Sequence, residues 1–287
     1  MSFRLTPERS RRVNGEIFRD FSTTFKMTFT YYRVLKKVSV LGTGWLGKPL
    51  ALSFLEEGYS VKASTTTESK VFDLEALGIE SYLVNIEEYE EFDLFLQSKI
   101  LIINITSKDV EAYERLIEQI QDSEVEKVIF ISSTSVYPNT NAVVTEDNQT
   151  VQKPLTEIEN LFRKDPYFET TIIRFAGLFG PNRHPGNWFR DGRKIPQPDG
   201  VVNMIHQEDC INIVHEIIDQ SVWGETFNAC SNHHPTRREF YTNAKRSLGL
   251  DVPDFEETDK PLFKKVSSKK LQEVLGYEFV WDDLLRI

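Results

Sequence analysis

Residues 129–140 read IFISSTSVYPNT: an apolar strand that runs into the hydroxyls of Ser132, Ser133, Thr134 and Ser135, and then into Tyr137. A serine and a tyrosine placed this way can present themselves to a substrate carbonyl or alcohol. A tyrosine exchanges protons near neutral pH only when its pKa is lowered, usually by a lysine. Two Y-x-x-x-K spacings occur elsewhere, Tyr32 to Lys36 and Tyr241 to Lys245, and neither follows this strand. On the helix expected after Tyr137, over 149–165, there is no tyrosine, and Lys153 stands directly before Pro154.

A second pattern binds rather than reacts. Gly42-Thr43-Gly44-Trp45-Leu46-Gly47 is a G-x-G-x-x-G between an apolar run and a helical pattern. In such a loop the first glycine permits a tight turn, the second lets backbone approach a pyrophosphate, and the third allows close helix–strand packing. About 20 residues on, a carboxylate ordinarily holds the adenosine ribose. Here Ser64, Thr65 and Thr66 occupy that place, the next acid is Glu68, and Lys70 follows. Hydroxyls and a lysine tolerate a 2′-phosphate that a carboxylate would repel, so NADP is favoured over NAD.

These residues need a frame. From Lys37 the chain alternates short apolar runs (KVSVL, YSVKAST, IESYLVNI, KILIINI, VEKVIFISS, ETTIIRFA) with amphipathic segments. That alternation predicts βαβ units, a parallel sheet and an α/β Rossmann-type doubly wound fold. The run KILIINI is apolar almost throughout, as suits a central strand covered on both faces. After Ala176 the texture changes to a Gly-, Pro-, Asn- and Arg-rich loop, then helix, the strand ETFNAC, another helix and a short last one. The expected organisation is a flexible N-terminal extension over 1–36, a dinucleotide-binding domain over 37–176, and a small substrate-binding region over 177–287 interleaved with the last Rossmann elements.

Composition bounds the function. The 287 residues carry a formal charge of −10, but residues 1–37 hold nine basic and three acidic side chains, so the remainder stands at −16. An acidic body argues against nucleic acid as a partner. No apolar run is long enough to span a membrane, and the basic head has no apolar core of a secretory signal. Cys210 and Cys230 match no metal spacing, and a reducing cytoplasm is the simple expectation.

Five segments in order, the glycine loop, SSTSVYP, RFAGLFGPNR, NMIHQEDC and ETFNAC, resemble an extended short-chain dehydrogenase/reductase of the NAD-dependent epimerase/dehydratase family, over about Lys37 to Tyr241. The missing Tyr–Lys dyad resembles the atypical branch of that family. The resemblance implies NAD(P) binding by Gly42, Gly44, Trp45, Leu46, Gly47, Ser64, Thr65, Thr66, Lys70, Thr106 and Ser132. It implies that Ser133 holds the substrate oxygen; with the dyad missing, Tyr137 could serve as a substitute acid, another group could take that part, or the protein binds cofactor without chemistry. Thr134 and Ser135 stand where the dehydratases carry acids, which argues against sugar dehydration. A homodimer is a family-level expectation.

The substrate side is expected in GPNRHPGNWFRDGRK, where Asn182, Arg183, His184, Arg190 and Arg193 could grip an anionic group and Trp188 and Phe189 could stack on a ring. Arg174 and His206 complete the expected substrate contacts. The substrate is read as sugar-like or as a small carbonyl or alcohol compound. The alternative is a non-catalytic NAD(P)-binding or redox-sensing protein.

Overall fold

Seven strands form one parallel sheet in the computed structural model, which describes residues 36–88, 91–189 and 192–287. The expected N-terminal extension therefore lies outside the described residues, apart from Lys36, and so does Arg190. Lys37–Ile287 forms one compact unit.

The sheet strands are β1 (Lys37–Leu41), β2 (Ser60–Thr65), β3 (Glu80–Leu83), β4 (Ile100–Ile103), β5 (Lys127–Ser133), β6 (Glu169–Phe175) and β7 (Thr226–Ala229). Their order is β7-β6-β5-β4-β1-β2-β3, with every pairing parallel. The helices are α1 (Gly47–Glu56), α2 (Glu68–Glu75), α3 (Val110–Gln121), α4 (Pro154–Lys164), α5 (Gln207–Asp219), α6 (Arg237–Ser247) and α7 (Lys269–Leu275).

The near-continuous apolar runs have a direct cause. Successive strand residues point to opposite faces, and here both faces are covered. Val38, Val40, Ile102, Ile129 and Ile173 pack with Leu50 and Phe54 of α1 and Ile213 and Ile217 of α5. Leu41, Leu101, Ile103, Val128 and Phe130 pack with Tyr113 and Leu116 of α3 and Ile158 and Phe162 of α4. Strand order reverses between β1 and β4, and the crevice above their carboxyl ends is where open α/β sheets take ligands.

The C-terminal part adds a third, smaller core of Phe179, Ile195, Met204, Phe240, Tyr241 and Leu284. Three short parallel pairs tie it together: Gly177–Phe179 with Met204–His206, Ile195–Pro196 with Phe255–Glu256, and Val143–Val144 with Lys265–Val266. The capping box of Thr236 and Glu239 starts α6.

Candidate active site

The glycine loop is built against the ends of β2 and β4. Gly42 has φ +98°, and a Cβ there would lie 2.7 Å from the Asn104 carbonyl oxygen. A Cβ on Gly47 would lie 1.9 Å from the Gly42 oxygen, whereas Gly44 has nothing within 4 Å of that position. Gly42 and Gly47 are thus required by packing, and Gly44 leaves open backbone where a phosphate can come close. Gly42 N–H donates to Ser64 Oγ at 2.9 Å, and Thr43 donates to the Ser64 carbonyl through its N–H (2.9 Å) and its hydroxyl (2.8 Å).

Ser64 is 1% exposed; it braces the loop and is among the residues that line the cleft beside it. Thr65 is also buried, and its hydroxyl accepts from Thr67 N–H at 3.1 Å. Thr66, Thr67 and Lys70 remain exposed at the same edge. Lys70 has no carboxylate partner among the described residues.

A cleft of about 720 Å³ opens beside the loop. Its walls include Gly42, Gly44, Thr65, Thr66, Lys70 and Thr106, all expected from the sequence, together with Asn85, Glu87, Asn104 and Lys108, which were not. The missed residues sit just after β3 and β4, so strand ends in an alternating α/β pattern are the signal that could have found them. Open backbone at Gly44, polar walls and this volume fit the adenosine diphosphate part of a dinucleotide. Trp45 and Leu46 do not line the cleft. Leu46 is in the core, and the Trp45 indole N–H donates to the Pro181 carbonyl at 2.8 Å.

At the end of β5 the two serines separate. Ser133 is half-buried at the strand end, and its Oγ accepts from Ser135 N–H at 3.1 Å, capping the single 3₁₀ turn Thr134–Val136. Ser132 faces inward and donates to Glu159 Oε1 at 2.5 Å, so it is a core residue and not a cofactor contact. Arg174 is likewise buried; Nε and Nη2 grip the Glu159 carboxylate at 3.0 and 2.5 Å, which leaves it unsuited to hold substrate.

Tyr137 joins the same network. It is 2% exposed; its oxygen accepts from Arg174 Nη1 at 2.6 Å and its proton goes to Asn228 Oδ1 at 2.9 Å. Ser132, Arg174 and Asn228 are register partners across β5, β6 and β7, so the network is one row of the sheet. Burial pushes the Tyr137 hydroxyl up, against the opposing pull of Arg174 and Asn228. With both hydrogen-bonding roles met in the core, Tyr137 has no route to a substrate, and the expected substitute acid is corrected to a structural residue. Neither lysine nor histidine is among the partners of its hydroxyl.

The expected substrate residues fall in two places. Asn182, at φ +59°, and Arg183 are exposed on a turn closed by the Gly180–Arg183 bridge. The Arg183 guanidinium lies over the Trp45 ring, 5.3 Å from its centre, which sets this turn beside the glycine loop. His184 and His206 act as helix caps: His184 Nδ1 accepts from Gly186 N–H at 3.1 Å, and His206 Nδ1 accepts from Glu208 N–H at 3.2 Å. His206 also stacks on Trp281 with centres 4.2 Å apart. Burial lowers the pKa of both histidines, and for His206 the charges of Asp209 and Glu208 oppose the shift. Trp188 and Phe189, expected to stack on a ring, pack instead around Tyr241.

The comparisons agree with this geometry. A family described as the NAD binding domain of 6-phosphogluconate dehydrogenase matches residues 37–153. Protein YeeZ of Escherichia coli strain K12 is 32% identical over 272 residues, covering 88% of this chain and 98% of that protein. The chain belongs to the YeeZ family. Solved structures share the fold at lower identity. A functionally unknown conserved protein from Silicibacter pomeroyi superposes with a TM-score of 0.76 at 21% identity, over 88% of this chain and 96% of that one. A short-chain dehydrogenase/reductase superfamily protein from Agrobacterium tumefaciens, solved with bound NAD, gives 0.72 at 17% identity, over 87% and 95%. Residues 37–153 of the YeeZ-family chain thus match an NAD-binding domain, and the chain has a Rossmann-type fold shared with solved short-chain dehydrogenase and epimerase structures. Among the described residues no helix is long and apolar enough to cross a membrane.

Proposed function

We propose that this protein is an NAD(P)-dependent oxidoreductase or epimerase that acts on a sugar-like or other small carbonyl or alcohol substrate, with NADP favoured. The observation that carries this reading is the glycine loop with Gly44 open to the cleft at the β1–β4 switch point. Bound NAD(P) supplies the hydride chemistry. Gly42, Gly44 and Gly47 shape the phosphate seat, Thr106 lines the cleft beyond β4, and Ser133 offers its hydroxyl to the substrate oxygen at the end of β5.

The NADP preference is supported by the edge that Thr66, Thr67 and Lys70 form, since no carboxylate stands at the end of β2. Glu87 lines the cleft from the β3 side.

A second reading, a non-catalytic NAD(P)-binding or redox-sensing protein, is favoured by one observation. The tyrosine that could have replaced the missing dyad is locked to Arg174 and Asn228.

Titration with NADPH and NADH, followed by reduced-nicotinamide fluorescence, tests both readings. Micromolar binding of either supports them; binding of neither overturns both. A carbonyl substrate screen then separates enzyme from sensor, with Ser133→Ala as the control that must lose turnover.

A further inference from the structure

Two lysines from distant parts of the chain converge on the turn that follows Ser133. Lys153 precedes α4, and its Nζ donates to the Ser135 carbonyl at 3.3 Å. Lys264 lies just before the strand Lys265–Val266, and its Nζ donates to the Tyr137 carbonyl at 2.8 Å. Ser135 is the middle residue of the 3₁₀ turn Thr134–Val136 and Tyr137 the residue that follows it, while Ser133 caps the near end.

Lys264 is fixed in place. Asn141 and Phe263 exchange two hydrogen bonds, each 2.8 Å, and Asn203 Nδ2 donates to the Lys264 carbonyl at 2.8 Å. These contacts stitch the segment before Lys265 to the loop after Tyr137. The two ammonium groups are near enough to feel one another: burial first, and then the charge of Lys153, lower the pKa of Lys264.

Neither lysine forms an ion pair with a carboxylate among the described residues. This is notable on a body whose charge is strongly negative. Each ammonium has three donors and meets one protein acceptor. Two like charges, close together, with donors to spare and no acid between them, make a receptor for an oxyanion.

We propose that Lys153 and Lys264 form an anion-binding subsite that seats a phosphate or carboxylate group of the substrate. A 3₁₀ turn rises about 2 Å per residue, so Ser135, two residues on, lies about 4 Å along the turn from Ser133, and Tyr137 lies further on. The substrate class is then a sugar acid or sugar phosphate, or a comparable small compound, with its anionic group about one ring away from the oxygen at Ser133. The spacing rests on the function proposed above; the anion subsite itself does not.

The test is site-resolved. Lysine acetylation by acetic anhydride is followed by mass spectrometry on the full chain, with inorganic phosphate, acetate or chloride at equal ionic strength. Phosphate is expected to protect Lys153 and Lys264 and to leave Lys99 and Lys127 unprotected, since those pair with Glu126 and Glu169. Protection by acetate as well identifies a carboxylate site; protection by phosphate alone identifies a phosphoester site. Lys153→Gln and Lys264→Gln are each expected to weaken phosphate binding at the remaining lysine by about tenfold, the effect of one charge-assisted hydrogen bond. NADPH binding is measured on the same variants. Lost protection with intact NADPH binding supports the subsite, and intact protection without NADPH binding overturns only the proposed function. Equal labelling of Lys153 and Lys264 in all three salts, or variants with unchanged phosphate affinity, overturns the subsite.

Discussion

Arg174 Nη1 donates to the phenolic oxygen of Tyr137 across 2.6 Å, inside the core. The partner that the sequence lacks as a lysine is present as an arginine, but it is itself held by Glu159. A cation so engaged, beside a tyrosine with no exposed edge, serves the fold. Burial alone would lower the Arg174 pKa; the hydrogen bonds and charge of Glu159 more than offset this and raise it.

Removing one member of this row strands a buried charge. Arg174→Met is expected to destabilise the protein by about 3 kcal/mol, because the buried Glu159 carboxylate keeps only Ser132 and the half-exposed Arg163, 3.4 Å away. Adding Glu159→Leu to that variant should restore part of the loss. Urea unfolding of both, followed by circular dichroism, decides the matter. A loss within about 1 kcal/mol, the range of a surface pair, would contradict a core role.

Tyr137→Phe and Ser133→Ala should separate stability from chemistry. The first leaves Asn228 Oδ1 and Arg174 Nη1 each short of a partner and is expected to cost about 1–3 kcal/mol. Its NADPH dissociation constant should stay unchanged. Ser133→Ala removes a half-buried cap of one short turn and should barely move the melting temperature, while abolishing turnover once a substrate is found. The reverse pattern would return Tyr137 to the reaction.

The three glycines of the loop should not be equivalent. In Gly47→Ala a methyl group meets the Gly42 carbonyl at 1.9 Å, so the loop must move and both stability and cofactor binding fall. Gly44→Ala meets nothing within 4 Å and should leave the melting temperature intact while weakening NADPH. Paired thermal melts and fluorescence titrations check this, and a Gly44→Ala variant with unimpaired binding would remove the phosphate from that position.

Lys70→Ala probes cofactor choice. If the lysine meets a 2′-phosphate, NADPH should weaken by about tenfold, or ~1.4 kcal/mol, with NADH little changed. Equal weakening of the two would mean that Lys70 does not read the 2′ position.

His206 gives a pH dependence with a defined sign. Its pKa is lowered in the fold, by burial against the opposing charges of Asp209 and Glu208. A depressed histidine stabilises above its ordinary pKa of 6.5, and that contribution is lost as pH falls through the folded value. His206→Asn keeps a good helix cap without the titration. The gap in melting temperature between wild type and this variant should therefore narrow between pH 7.5 and 5.5. A gap that stays constant would show that the ring titrates alike in both states.

The Rossmann frame was legible because each strand is covered on both faces, and that writes itself as apolar runs such as KILIINI. The glycine loop was legible because its spacing is a backbone requirement, met here by the contacts of Gly42 and Gly47. Which hydroxyl serves which purpose was not. Ser132 and Ser133 are neighbours of one residue type, and alternation along β5 sends them to opposite faces. Only the packing of α4, which brings Glu159 over one face, makes Ser132 internal and leaves Ser133 half-buried at the strand end. Arg174 was misread for the same reason, since its partner Glu159 lies in another element. The convergence of Lys153 and Lys264 on one turn is likewise decided by how the C-terminal strands pair with the loop after Tyr137. Local pattern fixes elements because neighbouring residues share one backbone period. The partner of a polar side chain is set by long-range packing, which no local period encodes.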